Sequence, residues 1–401
     1  RIPDACYTCR VPRIFPFVGL RFDRERVGSF EVVTAPPYDV ISQEEHARYL
    51  SASPYNVIRL DLAEDTNERP GRELDPYTEA ARSLSVWRDD GVLVTTDGPA
   101  YYPYEMRFRF HGRARRIRGL ICALELEDWG GGVVPHERTM RGPVEDRLRL
   151  MRAIGANPSC IYAVFAGPIP ELARWLEEAT SGRPAASLVD DDGVEHGMWV
   201  APADAHVATW LGSTSLMIAD GHHRYATALR YRDELRARHG PGPWDRVMMF
   251  LVDAAIEDPP VLPFHRIALG GSPPKTGTRV RDLEEVLDSV DDRKLAFGTV
   301  AYEGGALVHR VAELAGEPPA VSRLHEQVLA GQSQTLRFTP DAVAAEDVVR
   351  RREATVAYLL PPTNAETIRS VVELGHTLPQ KSTFFWPKPR TGMVMRPLEP
   401  E

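Results

Sequence analysis

One stretch constrains the fold more than any other. Residues 215–219 (SLMIA) read as a short buried strand, and Asp220-Gly221-His222-His223-Arg224 follows without a break. A helix is expected from about Tyr225 to Arg238, stopped by Gly240-Pro241-Gly242-Pro243. A strand that ends in a glycine turn and reopens as a helix is a building block of α/β proteins. It points the first-turn N–H groups and the positive end of the helix dipole at one spot, which suits a phosphate. His222, His223 and Arg224 add side-chain donors, Gly221 supplies the turn, and Asp220 adds a carboxylate able to take Mg²⁺. The plainer alternative makes Asp220 the helix cap and leaves two histidines in solvent. Two adjacent histidines are an odd choice for capping alone.

The rest of the chain alternates in the same way. Ser42 starts a helix at Gln43, with Glu45 placed for a capping box. Residues 75–88 form a helix with Ala80, Ala81, Leu84 and Trp87 on one face. Strands are expected at 101–110, 119–126, 161–165 and 247–252, and helices at 170–180, 281–290 and 365–374. A helix also follows Pro143 and ends at Gly155. The pattern predicts a mixed α/β chain in three parts. These are an N-terminal α/β segment over 1–127, a core over 128–255 that carries the unusual chemistry, and a C-terminal α/β segment over 256–401.

Two further segments carry candidate chemistry. His136-Glu137 follows a glycine-rich loop, Gly130-Gly131-Gly132, and a carboxylate such as Glu137 near a site can take the proton of a hydroxyl nucleophile. A solvated loop glutamate is the equal alternative. Lys381-Ser382-Thr383 joins an ammonium to two hydroxyls, a weaker phosphate signal without the glycines of a P-loop. Next to it, Phe384, Phe385 and Trp386 read as packing residues. Among the arginines between the two main motifs, Arg147 is taken as a phosphate clamp.

Composition narrows the classes of function. The chain has 48 basic and 57 acidic residues, a net charge of −9, which argues against sequence-blind nucleic-acid binding. Only Lys275, Lys294, Lys381 and Lys388 are lysines, so the other 44 basic residues are arginines and an arginine cluster says little by itself. No apolar run reaches the ~18 residues of a membrane span, and residues 1–10 lack a signal-peptide core. A cytoplasmic protein without membrane or nucleic-acid partners is expected, as a possible homodimer. Cys6 and Cys9 form one CxxC with no second pair to complete a zinc site. No GxGxxG, HExxH, GxSxG or kinase signature is present.

Six segments occur in a recognisable order: Ala35-Pro36-Pro37-Tyr38-Asp39-Val40-Ile41, Asn56-Val57-Ile58-Arg59-Leu60, Pro135-His136-Glu137, Ile218-Ala219-Asp220-Gly221-His222-His223-Arg224-Tyr225, Leu262-Pro263-Phe264-His265-Arg266 and Pro379-Gln380-Lys381-Ser382-Thr383. Over nearly its whole length the chain resembles the bacterial family known as domain of unknown function 1015. Two of the segments also resemble the signature of the ParB-like free serine kinases. That resemblance implies a ParB/sulfiredoxin-like phosphate-binding core with flanking α/β segments. It implies Glu137 as base for the acceptor hydroxyl, and Asp220 as the metal-associated acid, with Asp220 and His223 counted among the catalytic residues. It implies that His222, His223 and Arg224 bind nucleotide phosphates. The residues themselves add Gly221 and Arg147 to the phosphate contacts, with His136, Lys381, Ser382 and Thr383 as possible substrate or phosphate contacts. Here 82 residues separate Glu137 from Asp220, a longer gap than expected in those compact kinases.

The expected function is a kinase using ATP or ADP with Mg²⁺ to phosphorylate the hydroxyl of free serine or a related hydroxy compound. A metal-dependent hydrolase using His136, Glu137, Asp220, His222 and His223 is one alternative. A non-catalytic nucleotide switch and a plain scaffold are the others.

Overall fold

The computed structural model describes residues 13–63, 75–211, 214–330 and 335–399. Cys6 and Cys9 lie outside them. The chain is mixed α/β and divides into two compact units. The first gathers residues 1–134, 139–259 and 387–401; the second gathers 135–138 and 260–386. Among the described residues no helix is long and apolar enough to cross a membrane.

The first unit is built on a ten-stranded mixed sheet. Within it Ile161–Phe165, third strand from one edge, is buried at every position, as expected for a continuous apolar run covered on both faces. It pairs in parallel with Arg246–Asp253 and antiparallel with Leu216–Asp220. The sheet continues through the hairpin Ala100–Phe110/Arg113–Glu125. Positive φ at His111 (47°) and Gly112 (75°) closes that hairpin in two residues, the tight turn whose twist matches the strands. Leu120, Cys122, Ile161, Ala163, Leu216, Ile218, Met249 and Leu251 belong to one core cluster with Tyr225 and Ala228 of the helix His222–His239. The second thiol of the region, Cys160, is buried as well, and burial raises the pKa of both Cys122 and Cys160.

Helix Arg141–Ile154 packs along His222–His239. Arg152 grips Glu234 through two bonds of 3.0 and 2.6 Å, and the Thr227 hydroxyl donates to Val144 O at 3.2 Å. Gly155 ends the first helix in the left-handed region, its N–H returning to Met151 O. Helix Gln43–Ala52 carries the expected capping box: Glu45 N–H donates to Ser42 Oγ, and Ser42 N–H to Glu45 Oε2. Helix Pro76–Asp89 is capped by Asp75 and buries Ala80, Leu84 and Trp87.

The second unit holds a six-stranded sheet, every pair antiparallel, in the order Thr278–Val280, Ala306–Glu313, Ala296–Glu303, Val356–Leu359, His265–Ala268, Leu336–Thr339. Helices Leu283–Ser289 and Ala342–Arg350 pack on it through Val286, Ala345 and Val349. A separate pair joins Val261–Pro263 to Thr383–Phe385, with Leu262 opposite Phe384.

Candidate functional site

The Asp220 motif lies in the first unit, where the sequence placed a strand, a turn and a helix. The helix starts at His222, three residues before the expected Tyr225, because Gly221 completes the turn alone at φ 99°, ψ 27°. A Cβ on Gly221 would also sit 3.0 Å from Arg224 Nε. No side chain caps this helix. Asp220 is therefore not the cap, and the first-turn N–H groups have no acceptor within the helix.

The Asp220 carboxylate turns instead toward two cations. Oδ2 pairs with Arg224 and Oδ1 with the ammonium of Lys388. Arg224 is fixed from behind by the carbonyl of Cys160. Lys388 lies 3.9 Å from Asp39 Oδ2, so its ammonium is shared by two carboxylates. Asp39 belongs to a single turn at Tyr38–Val40 that follows the Pro36-Pro37 loop. Four charges, two of each sign, are thus gathered where the strand gives way to the helix. His223 is tied to the neighbouring helix start, its Nε2 accepting the N–H of Met140 at 3.0 Å. That bond makes Nε2 the acceptor of a neutral ring with the proton on Nδ1. His222 is buried.

Arg147 is placed differently from a phosphate clamp. Its guanidinium bonds the carbonyl of Asp61 and reaches Asp61 Oδ1 at 3.2 Å and Asp146 Oδ2 at 2.7 Å. It also lies over the ring of Tyr38, 4.1 Å from its centroid. With its side chain 8% exposed, Arg147 supports the Tyr38–Val40 turn from beneath.

Mg²⁺ does not fit on Asp220 as it stands. Both carboxylate oxygens are already paired with cations, and a dication would have to displace the Lys388 ammonium. Among the described residues no group of three His, Cys, Asp or Glu side chains is placed to share an ion.

Glu137 belongs to the second unit, so the candidate set divides between the two. Its carboxylate is enclosed by the segment that the sequence offered as a phosphate contact. The N–H groups of Lys381, Ser382 and Thr383 donate to it at 2.9, 2.9 and 3.0 Å, and the Thr383 hydroxyl adds a contact at 3.2 Å. Lys381 makes this turn at φ 54°, and the Ser382 hydroxyl donates to Pro379 O. The N–H groups of this nest therefore already hold an anion, the Glu137 carboxylate. The Lys381 ammonium lies over Phe264 at 5.2 Å. His136 is fully buried, with Nε2 2.6 Å from the Thr383 hydroxyl and its ring edge-on to Phe385. Arg266 completes the cluster. It is entirely buried, donates to the carbonyls of Phe264 and Gln380, and gives its Nε–H to His325 Nε2. Burial lowers the pKa of Arg266, and the nearby Glu137 charge partly restores it.

The motif segments therefore sort by unit. Residues 35–41 and 218–225 meet in the first, through Lys388. Residues 135–137, 262–266 and 379–383 meet in the second. Lys388, Asp39, Tyr38 and Asp61 are not among the site residues expected from sequence. Tyr38 and Asp39 stand in the segment 35–41 and Lys388 is one of four lysines, but neither signal assigns them to the site.

A mixed α/β protein with an uncapped helix start beside a cluster of paired charges is the class that these features define. The chain belongs to the family described as protein of unknown function (DUF1015), whose model matches residues 14–339. No curated protein matches the sequence. Among solved structures it is similar to a free serine kinase in complex with AMP, at 14% identity and TM-score 0.35 over 63% of this chain and 83% of that one. It is also similar to a conserved hypothetical protein from Pyrococcus furiosus, at 14% identity and TM-score 0.33 over 67% of this chain and 90% of that one. A third is SbnI with a C-terminal truncation from Staphylococcus aureus, at 13% identity and TM-score 0.34 over 65% and 82%.

Proposed function

We propose that this protein is a nucleotide-dependent small-molecule kinase that phosphorylates the hydroxyl of free serine or a related hydroxy compound. The observation that carries the reading is the start of the helix His222–His239. Gly221 turns a buried strand directly into an 18-residue helix that no side chain caps, beside Arg224. Backbone N–H groups, a helix dipole and a partly buried guanidinium on one spot suit the phosphates of a nucleotide. The resemblance of residues 136–137 and 220–224 to the ParB-like free serine kinases supports a phosphoryl transfer rather than binding alone.

In this reading the bond from the leaving phosphate to the terminal phosphorus of ATP breaks. A new bond forms to the acceptor oxygen, and the hydroxyl proton passes to a carboxylate, assigned to Glu137. With ADP as donor the leaving product is AMP. Such transfers need positioning and charge neutralisation more than covalent chemistry from the protein. Gly221, His222, His223 and Arg224 are assigned to the phosphates, and Asp220 to fixing Arg224. Arg147 enters as a support for Tyr38.

A screen tests the proposal. Purified protein with Mg²⁺, ATP or ADP, and a pool of amino and hydroxy acids is followed by mass spectrometry. A phosphorylated acceptor that disappears in Glu137→Gln is the expected result. Nucleotide binding with no product across a broad pool would leave a switch as the better reading. Absence of both product and nucleotide binding would overturn the proposal.

A further inference from the structure

Resting on the phosphate-binding reading above, we propose that Lys388 is a further phosphate-binding residue: its ammonium, parked on Asp220 and Asp39, moves onto the terminal phosphate of a bound nucleotide. Four observations lead there. The first is residue choice. This chain uses 44 arginines and four lysines, yet the partly exposed ion cluster at the strand end takes a lysine. A guanidinium's fixed fork matches carboxylate and phosphate alike but holds one geometry, whereas a compact ammonium on a flexible stem meets either as a point charge and can pass from one to the other.

The second is charge. Asp220 already has Arg224 on one oxygen, and Arg224 is itself anchored by the carbonyl of Cys160. Arg224 therefore keeps Asp220 paired when the Lys388 ammonium leaves. The third is burial. The Lys388 side chain is 6% exposed, against 13% for Asp220 and 25% for Asp39. Holding a desolvated ammonium there is costly unless it is paired, and two carboxylates pair it here.

The fourth is the contrast between backbone and side chain. Lys388 is flanked by Pro387 and Pro389. Two residues on, the Arg390 N–H donates to the buried Tyr104 hydroxyl at 3.1 Å, and the Arg390 guanidinium donates to Thr34 O at 3.1 Å. Thr391 pairs with Ala35 through two backbone bonds. The main chain is therefore fixed, and the four-carbon stem is what can carry the ammonium from carboxylate to phosphate.

Calorimetric titration of the full chain with ATP, tripolyphosphate and adenosine tests this in Lys388→Met and Asp39→Asn. Loss of one charge-assisted contact predicts ATP and tripolyphosphate affinity on the order of tenfold weaker or more in Lys388→Met, with adenosine affinity unchanged. Asp39→Asn removes a competing carboxylate and is expected to tighten ATP binding several-fold. A folded Lys388→Met protein with wild-type ATP affinity overturns the proposal while leaving the phosphate reading intact. If Lys388→Met does not fold, Asp39→Asn decides, and unchanged or weaker ATP binding overturns the proposal. A wild-type protein that binds neither ATP nor tripolyphosphate removes the phosphate reading, and this proposal with it.

Discussion

Thr383 holds Glu137 twice, through its N–H at 3.0 Å and its hydroxyl at 3.2 Å. With the N–H groups of Lys381 and Ser382, four donors converge on one carboxylate whose side chain is 11% exposed. This makes Glu137 a fastening for residues 381–383 as well as the candidate base. The two roles separate by substitution. Glu137→Ala strands three backbone donors and should cost about 2–3 kcal/mol, seen as a fall in melting temperature. Glu137→Gln keeps the carbonyl oxygen for most of the donors and should lose less than half as much. As base, however, Glu137→Gln should lower turnover by about 10² or more while nucleotide affinity holds. A stable Glu137→Ala protein would remove the fastening role, and normal turnover in Glu137→Gln would remove the base role.

Gly221 is the point at which local backbone chemistry and the site meet. Its φ of 99° is disfavoured for any side chain, and the added methyl would press on Arg224. Gly221→Ala should therefore destabilise the protein by about 1–3 kcal/mol. It should also weaken nucleotide binding more than adenosine binding, because the shift reaches Arg224 and the first-turn N–H groups. Chemical denaturation beside titration with both ligands reads the two effects. An unaltered midpoint would mean that the turn relaxes without strain.

The local features of this chain were legible because short-range rules write them. Ser42 and Glu45 cap a helix three residues apart, Gly155 ends another in the left-handed region, and the apolar run at Ile161–Phe165 is a buried strand. The strand-turn-helix at Asp220 was visible for the same reason. The partners of its charges were not. Lys388 reaches Asp220 across 168 positions, and Glu137 is held by residues 244 to 246 positions away. Three of Glu137's donors are backbone N–H groups, which leave no residue-type signature. Arg147 misled for the opposite reason. In a chain with this many arginines, one buried by Asp61, Asp146 and Tyr38 looks no different in sequence from one facing a ligand.

A buried relay fixes the segment that carries Lys388. Arg390 N–H donates to the Tyr104 oxygen at 3.1 Å, the Tyr104 hydroxyl meets His196 Nδ1 at 2.9 Å, and His196 Nε2 meets Asp190 Oδ2 at 3.0 Å. Burial lowers the pKa of His196, which keeps the ring neutral, so Nε2–H donates to Asp190 and Nδ1 accepts from Tyr104. Tyr104→Phe deletes the shared hydroxyl and leaves a buried N–H and a ring nitrogen without their bond. The expected cost is about 1–3 kcal/mol, with ATP affinity several-fold weaker. Equal stability of Tyr104→Phe and wild type in urea would show that the relay contributes nothing to holding the segment.

The second unit should be sensitive to acid through two histidines that flank Arg266. Burial, and then the Arg266 charge, push the pKa of His265 down to about 4 and that of His325 to about 4, from 6.5. Both rings are used as acceptors: His265 Nδ1 takes the N–H of Leu360 at 3.1 Å, and His325 Nε2 takes the Nε–H of Arg266 at 3.2 Å. Protonation would turn each acceptor into a donor facing a donor. Between pH 6.5 and 4 the unfolded chain binds protons that the folded chain refuses, so stability rises with pH in that window. The contribution is complete above pH 6.5 and is lost as pH falls through about 4. For the buried His265 this amounts to roughly 3 kcal/mol, and to less for the half-buried His325. His265→Asn and His325→Gln each keep an acceptor without a titrating ring. The double variant should therefore lose markedly less stability than wild type between pH 7 and pH 4.5, measured as urea midpoints. Parallel pH profiles for the two proteins would show that neither histidine is held neutral by the fold.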